Sequence, residues 1–396
     1  MSVVISQANP AQAVSPRGRF FADQTFHFET LRNAGYTYAQ CADLGEILET
    51  TKHINEGDLD SWYTAWAATA GRVEALAERT QDRISKGEAY MRASTYQRLA
   101  EFLLAPDDAK RPKSLEKVAG WFVQGLQALG VGYEYFSAPY GNGRLRALYL
   151  PGPAGSEKKP LIMAVGGYDS LLEEKYPAIG KAALDRGYSV LIYEGPGQGE
   201  PLRKYGLKFT AEWEKPTCAV LDEFLGKHDK PAKIVLFGMS MGGYLAPRAA
   251  AFEERIDGVV AYDVCFDLHE SALQAFGAAK QNPLILRNPS ASWAYHNALW
   301  TMGTTDLDDT LKAFSHYTLA PVADRIRQDV LILAGTDDHF IPFHQVADFE
   351  TSLVNARSVT TQVFDRPSGG SEHCQCGNTS LVQAAVFDWL LERFPG

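Results

Sequence analysis

The segment from Lys233 to Gly243 contains the strongest candidate for a catalytic side chain. It reads Lys-Ile-Val-Leu-Phe-Gly-Met-Ser-Met-Gly-Gly, which places Ser240 in a G-x-S-x-G pattern after a β-branched strand and before a helical run. A nucleophilic serine in this setting sits on a strained strand-to-helix turn, where side chains two residues away on either side would collide. Gly238 and Gly242 occupy those two positions. The pattern therefore predicts that Ser240 is a nucleophile.

A histidine is the next requirement, because a serine hydroxyl is a weak nucleophile until a base removes its proton. In a strand–turn–helix site of this kind the chain order is serine, acid, histidine. Three of the nine histidines follow the predicted strand at 329–334, namely His339, His344 and His373. His373 stands between the last predicted strand, at 359–364, and the C-terminal helix, where the general base belongs. We predict that His373 is the base and that His339 is structural or lines the pocket.

Two adjacent aspartates, Asp337 and Asp338, follow the strand at 329–334 and are candidates for the acid. Many enzymes of this chemistry carry a glycine three residues before the acid and a proline four residues after it. Gly335 and Pro342 give Asp338 that register, so Asp338 is favoured and Asp337 stays the alternative. The acid would accept a hydrogen bond from His373 Nδ1, select the tautomer and stabilise the imidazolium.

An oxyanion that develops on a carbonyl needs two N–H donors. The N–H of Met241 opens the helix after the nucleophile and is one candidate. The second should come from the turn Val-Gly-Gly-Tyr-Asp at 165–169, where the glycine pair lets the backbone approach a substrate. The residue after that pair is Tyr168. We therefore predict that Met241 and Tyr168 form the oxyanion site.

Two other motifs predict no further chemistry. The run Gly-Pro-Gly-Gln-Gly-Glu at 195–200 lacks the spacing of a dinucleotide-binding loop and contains a proline. Cys374 and Cys376 follow His373 closely and could suggest a metal site, but the sequence offers no second pair of metal ligands elsewhere. We expect neither a metal nor a cofactor.

The chain has two patterns of secondary structure. Residues from about 20 to 115 read as helices, with periodic apolar positions at 60–76 and 89–104. From about 130 a hairpin precedes short apolar strands that alternate with helices at 171–186, 211–227, 244–252 and 379–393, which predicts a mostly parallel α/β sheet with helices on both faces. The strands are predicted at 160–165, 189–193, 233–237, 258–261, 329–334 and 359–364. The aromatic-rich span 264–326 is too long for one crossover, so we expect a helical insertion there.

The composition of the chain limits the classes of partner that it can bind. The chain has 396 residues, 45% hydrophobic and 22% charged, and a formal net charge of −10, which argues against a nucleic-acid partner. Its five cysteines are few for a chain of this length, and their number is odd, so they do not form a disulfide framework. The N-terminus lacks the features of a secretory signal, and no apolar run approaches the roughly 20 residues that span a bilayer. These features predict a cytoplasmic protein with a small-molecule substrate and no membrane partner. They leave a homodimer possible.

Several motifs, taken together, resemble one branch of the α/β-hydrolases. That branch includes 2,6-dihydroxypseudooxynicotine hydrolase and fungal hydrolases that shorten polyketide chains in pigment synthesis. The motifs that carry the resemblance stand at 166–170, 173–174, 193–199, 238–243 and 372–374, and in the helical region at 45–46 and 54–62. The resemblance implies an α/β-hydrolase fold. It also implies that residues 1–115 form a helical cap, that 264–326 contributes to it, and that 116–263 and 327–396 form the core.

The resemblance further implies hydrolysis of a carbon–carbon bond next to a carbonyl, with release of an acid. Members carry an acidic residue next to the turn that holds the glycine pair. In this sequence that residue is Asp169, which follows Tyr168, so Asp169 is implied to contact substrate. A carbon leaving group must be stabilised, as in a β-dicarbonyl or an electron-rich phenol, which favours polyketide-like or hydroxyaromatic ketones. The alternatives are a carboxylesterase or lactonase acting on a secondary metabolite, and a non-hydrolytic role such as cyclisation, condensation or ligand binding.

Overall fold

The computed structural model describes residues 18–395. Residues 1–17 and 396 lie outside the described residues, and with them most of the segment predicted not to be a secretory signal. Between residues 18 and 395, no helix combines the length and the apolar character needed to cross a membrane.

Within the described part of the chain, five α-helices precede the first strand. They are α1 (Gln24–Gly35), α2 (Leu44–Thr51), α3 (Leu59–Arg79), α4 (Arg83–Phe102) and α5 (Arg111–Leu129). The first four begin at an aspartate whose side chain accepts a hydrogen bond from an N–H of the first turn; these are Asp23, Asp43, Asp58 and Asp82. The predicted helical runs at 60–76 and 89–104 fall within α3 and α4 or within two residues of their ends.

Helix α5 crosses the boundary predicted between residues 115 and 116. Pro112 lies in the first turn of α5, where its missing N–H costs nothing. The helix ends at Gly130, whose φ of +72° is easily reached only without a side chain. The helical region therefore continues to Leu129.

Eight strands form a single sheet in the order β1-β2-β4-β3-β5-β6-β7-β8. Their bounds are β1 (Glu134–Tyr140), β2 (Gly143–Leu150), β3 (Leu161–Val165), β4 (Val190–Tyr193), β5 (Ile234–Met239), β6 (Gly258–Tyr262), β7 (Asp329–Gly335) and β8 (Ser358–Phe364). The predicted hairpin is confirmed as β1 and β2, and β2 also runs antiparallel to β4. All other pairings are parallel. The predicted α/β fold with a mostly parallel sheet is thus confirmed.

The sheet separates two apolar cores, because side chains alternate between its faces along each strand. On β3, Ile162 and Ala164 join the core that contains the N-terminal helices. Leu161, Met163 and Val165 join the core on the opposite face. The N-terminal helices therefore pack on the rest of the chain through a continuous buried core.

Nine further α-helices follow β3 among residues 18–395. They are α6 (Lys181–Asp185), α7 (Gly199–Tyr205), α8 (Glu214–Leu225), α9 (Gly242–Ala250), α10 (Leu268–Gln281), α11 (Pro289–Met302), α12 (Leu307–Phe314), α13 (Gln345–Ser352) and α14 (Thr379–Arg393). The helical stretch predicted at 171–186 is confirmed, but its backbone is not α-helical throughout. A 3₁₀ turn (Leu172–Glu174) and a π-helical turn (Tyr176–Gly180) precede the short α6, and Pro177 has no N–H to continue an α-helical ladder.

The predicted helical insertion before β7 consists of α10, α11 and α12. Its two ends meet at an antiparallel bridge between Asp267 and Thr318. The N–H of Leu268 donates to the carbonyl of Tyr317 at 3.0 Å, and the N–H of Leu319 donates to Phe266 at 2.9 Å. The insertion therefore leaves and rejoins the sheet at one place.

Candidate active site

The turn between β5 and α9 holds Ser240 in the strained geometry that the G-x-S-x-G pattern predicts. Ser240 has a φ of +61°, the left-handed region that non-glycine residues rarely adopt. A Cβ added to Gly238 would lie 1.9 Å from the carbonyl oxygen of Gly242. A Cβ added to Gly242 would lie 3.0 Å from the carbonyl oxygen of Val165. Both glycines are therefore required by close backbone packing around the serine.

His373 and Asp338 come together with Ser240. His373 Nε2 lies 2.8 Å from Ser240 Oγ, and His373 Nδ1 lies 2.6 Å from Asp338 Oδ2. The other carboxylate oxygen of Asp338 accepts hydrogen bonds from the N–H groups of Phe340 and Ile341, at 2.8 and 3.0 Å. This arrangement can move a proton between the serine and the histidine while the carboxylate stabilises the imidazolium.

Asp337, the alternative acid, points away from this group. Its carboxylate pairs with Arg366 on the surface, at 2.6 and 3.0 Å, and its N–H donates to the carbonyl of Ser371. A Cβ on Gly335 would lie 2.3 Å from that same carbonyl oxygen, so the strand end packs closely against the loop before His373. The geometry thus favours Asp338 over Asp337.

The charges of His373 and Asp338 stabilise each other. Burial disfavours the imidazolium, but the Asp338 carboxylate and the Cys374 side chain together outweigh burial and place the pKa of His373 well above its ordinary value. Burial likewise raises the pKa of Asp338, and the attraction of His373 reverses this, so that its pKa lies below the usual range. The pair therefore favours a carboxylate next to a protonated ring.

The glycine-pair turn after β3 lies directly against the nucleophile. A Cβ on Gly167 would lie 2.6 Å from the Met241 nitrogen and 2.8 Å from Ser240 Cβ. Among residues 18–395, neither the N–H of Met241 nor that of Tyr168 donates to another group. The Tyr168 hydroxyl accepts from Thr301 on α11, at 2.9 Å. The glycine-pair turn is thus close to the serine, and the two N–H groups predicted to bind an oxyanion make no other hydrogen bond within the described residues.

Asp169, implied to contact substrate, lies elsewhere. Its carboxylate is fully buried and pairs with Arg203 of α7 at 2.7 Å, and it does not line the cavity described next. It belongs to a largely buried ionic cluster in which four acidic and four basic side chains are linked by ion pairs. The members of this ionic cluster are Glu29, Arg32, Arg98, Glu101, Arg111, Asp169, Glu174 and Arg203.

Ser240 and His373 open onto a cavity of about 350 Å³. Its walls are largely apolar and aromatic, and they come from the N-terminal helices, the insertion and the loop after β7. Nine large aromatic residues line it: Phe28, Tyr36, Phe102, Tyr168, Tyr262, Phe276, Trp293, Phe314 and Phe340. His339 also lines it, and burial lowers the pKa of His339 to about 4, so this ring is neutral at physiological pH. The cavity is suited to a largely apolar molecule that presents a carbonyl to Ser240.

Sequence reasoning missed Asp263, which follows β6. Its Oδ2 lies 3.8 Å from His373 Nδ1. The available signal was its position, because an acidic residue at the carboxyl end of a parallel strand next to the nucleophile's strand reaches the same edge of the sheet.

Asp263, Asp338 and His373 also offer three potential metal-ligand atoms within 4.8 Å of one another. Ligands of a tetrahedral zinc lie roughly 3.3 Å apart, given bonds of about 2.0–2.1 Å. The 2.6 Å separation of His373 Nδ1 and Asp338 Oδ2 is instead that of a hydrogen bond. The geometry therefore fits a proton between these two atoms better than an ion.

Comparison with known proteins agrees with this architecture. The model of the alpha/beta hydrolase family matches residues 162–374. Hydrolase acrC of Aspergillus aculeatus is 30% identical over 95% of this chain and 98% of that protein. The 20-hydroxy-prefusarin hydrolase FUS2 of Gibberella moniliformis is also 30% identical, with the same coverage. The crystal structure of 2,6-dihydroxy-pseudo-oxynicotine hydrolase superposes with a TM-score of 0.70 at 22% identity, over 92% of this chain and 96% of that one. This chain belongs to the alpha/beta hydrolase family.

Proposed function

We propose that this protein is a serine hydrolase that cleaves an acyl bond through an acyl-enzyme. The observation that carries the proposal is the uninterrupted set of hydrogen-bonding distances from Asp338 through His373 to Ser240, next to a largely apolar cavity. A serine without a base, or a base without an acid, would not support this chemistry.

In the proposed reaction, His373 Nε2 takes the proton of Ser240 as Oγ attacks a carbonyl carbon of the substrate. The charge that develops on the carbonyl oxygen is bound by the N–H groups of Met241 and Tyr168. Asp338 accepts from His373 Nδ1 throughout. The leaving group departs with the proton from His373 Nε2. Water, deprotonated by the same nitrogen, then hydrolyses the acyl-enzyme and releases an acid.

The bond cleaved in this proposal is a carbon–carbon bond next to the carbonyl of a polyketide-like or hydroxyaromatic ketone. A carbon leaving group departs only when its negative charge is delocalised, and such molecules are planar and largely apolar. The aromatic walls of the cavity suit a molecule of that shape. The relative FUS2 is named for hydrolysis of 20-hydroxy-prefusarin, which supports a hydroxylated substrate for this chain.

The helices before β1 and the insertion act as a cap in this proposal. Phe28 and Phe102 reach the cavity from α1 and α4, and Phe276 and Trp293 reach it from α10 and α11. Phe102 and Trp293 contact each other, with ring centroids 5.0 Å apart, so the two parts of the cap meet over the site. A closed cap would keep water from the oxyanion step. The core is then formed by 130–263 and 327–396.

A substrate screen read by mass spectrometry tests this function. The purified protein is incubated with aryl ketones, β-diketones, esters and lactones, and the Ser240→Ala variant serves as the matched control. We expect an acid and a second fragment from a ketone, with a combined mass equal to substrate plus one water. Turnover of esters or lactones alone would identify a carboxylesterase instead. A product that has lost water, or is isomeric with the substrate, would indicate condensation or cyclisation.

A further inference from the structure

Asp263 lies between the two loops that carry Ser240 and His373. The N–H of Ser240 donates to the carbonyl of Tyr262, at 2.5 Å. A Cβ on Gly243 would lie 1.7 Å from the carbonyl oxygen of Asp263, so α9 packs directly on this backbone. The residue is only 2% exposed. Its side chain is therefore held in place at the centre of the site.

The Asp263 carboxylate also holds the loop after His373. It accepts from the N–H of Cys374 and from Gln375 Nε2, each at 3.0 Å. Cys374 and Gln375 have φ values of +51° and +43°, a left-handed conformation that costs about 1–2 kcal/mol for each non-glycine residue. Since the two hydrogen bonds stabilise this conformation, Asp263 helps to set the direction of the His373 ring.

Two carboxylates therefore face one ring nitrogen. Asp338 Oδ2 lies 2.6 Å from His373 Nδ1 and Asp263 Oδ2 lies 3.8 Å from it, and one N–H donates fully to only one of them. Burial raises the pKa of Asp263 to about 8, and the charge of Asp338 contributes to this rise. Asp338 is therefore the stronger acid of the two, and Asp263 is the one that holds a proton more readily.

We propose that Asp263 is a second positioning acid for His373: the two aspartates hold one negative charge against Nδ1, and Asp263 takes it over when Asp338 is neutralised. In that exchange the Asp263 proton passes to solvent, and its departure is easier because the neighbouring charge has been removed. The ring and the carboxylate must approach by about 1 Å, the difference between the two distances above. This inference rests on the proposed function, in which His373 is the base.

A double-mutant cycle on kcat/KM tests the inference, with Asp338→Asn, Asp263→Asn and the combined variant. A triad histidine without its acid loses about 10⁴ in rate. Because Asp263 takes over, we expect Asp338→Asn to lose only about 10²-fold. Asp263→Asn weakens the loop contacts and should lose about tenfold, whereas the combined variant should lose about 10⁴-fold or more, at least tenfold beyond the product of the single losses. A combined loss no greater than that product would overturn the inference.

A second measurement uses the single variant Asp338→Asn, so that the inference can be tested even if the combined variant does not fold. With ¹⁵N-labelled histidine, the low-field proton on His373 Nδ1 is observed by NMR. We expect this resonance in the parent and in Asp338→Asn; its loss from Asp338→Asn would refute a second acid. The Ser240→Ala variant distinguishes a failure of the proposed function from a failure of the role proposed for Asp263. If it keeps the parent's turnover, the proposed function fails, whereas an inactive Ser240→Ala with an additive cycle removes only the role of Asp263.

Discussion

Replacing Glu101 by glutamine should destabilise the protein through the ionic cluster. Glu101 lies near the end of α4 and is fully buried. Its carboxylate pairs with Arg98 at 2.5 Å and with Arg203 of α7 at 3.2 Å, and it also pairs with Arg111 of α5. Glu101→Gln keeps the size of the side chain and removes its charge. The cluster would then hold four arginines against three carboxylates.

The size of the effect follows from two independent arguments. Burial raises the pKa of Glu101, but the three arginines outweigh burial and lower it from 4.5 to about 2. That drop corresponds to about 3 kcal/mol of folding free energy, at about 1.4 kcal/mol per factor of ten. Breaking a buried ion pair by removing one partner typically costs about 3–5 kcal/mol. We therefore expect a loss of about 3 kcal/mol in the free energy of unfolding at pH 7.

The pH dependence has a definite sign. Because the pKa of Glu101 is lower in the folded state, its contribution is present above pH 4.5 and is lost as the pH falls towards 2. The parent should lose stability over this range, and Glu101→Gln should lose about 3 kcal/mol less over the same range, since the variant has no carboxylate to protonate there.

Urea unfolding followed by fluorescence measures both quantities. Glu212→Gln is the matched control, because Glu212 pairs with Lys215 at 2.5 Å while both side chains are more than half exposed. An exposed pair of this kind contributes little, so we expect the control to unfold like the parent. If Glu101→Gln were as stable as Glu212→Gln at pH 7, the buried cluster would not stabilise the cap against the core.

Three further predictions concern the site and the cap. Asp338→Asn should lower kcat/KM about 10²-fold, whereas Asp337→Asn, whose carboxylate pairs with Arg366 at the surface, should stay within about threefold of the parent; the reverse order in steady-state assays would reassign the acid. The acid limb of the kcat/KM profile should lie above pH 6.5, because the base must be unprotonated and the pKa of His373 is raised; a limb below pH 6 would contradict this. A chain that begins at Gly130 should aggregate, because it exposes the core under α1–α5; a soluble fragment with the parent's substrate preference would show that these helices are not a cap.

The sequence predicted those parts of the molecule in which short-range geometry leaves little choice. The turn around Ser240 is an example, because Gly238 and Gly242 are needed wherever a strand turns so sharply into a helix. The β1–β2 hairpin is another, since Gly141 and Gly143 mark its turn. The alternation of strands and helices likewise indicated the sheet without any knowledge of distant contacts.

Long-range contacts account for what was missed. Arg98 and Glu101 stand three residues apart on α4, a spacing that also suits an exposed helix face, and only packing against α5 and α7 buries them. Asp263 had no local pattern to distinguish it, because its importance comes from a histidine 110 positions later in the chain. The irregular 3₁₀ and π turns within the helical stretch predicted at 171–186 did have a local signal, Pro177, which has no N–H to donate.

The most direct test of the central claim is the turnover of the Ser240→Ala variant. Its unfolding midpoint should match the parent's, since removing one hydroxyl from the turn between β5 and α9 leaves the packing around Gly238 and Gly242 intact. Hydrolysis should fall by several orders of magnitude, because the base His373 then has no hydroxyl to activate. Turnover within about tenfold of the parent would contradict the assignment of Ser240 as the nucleophile.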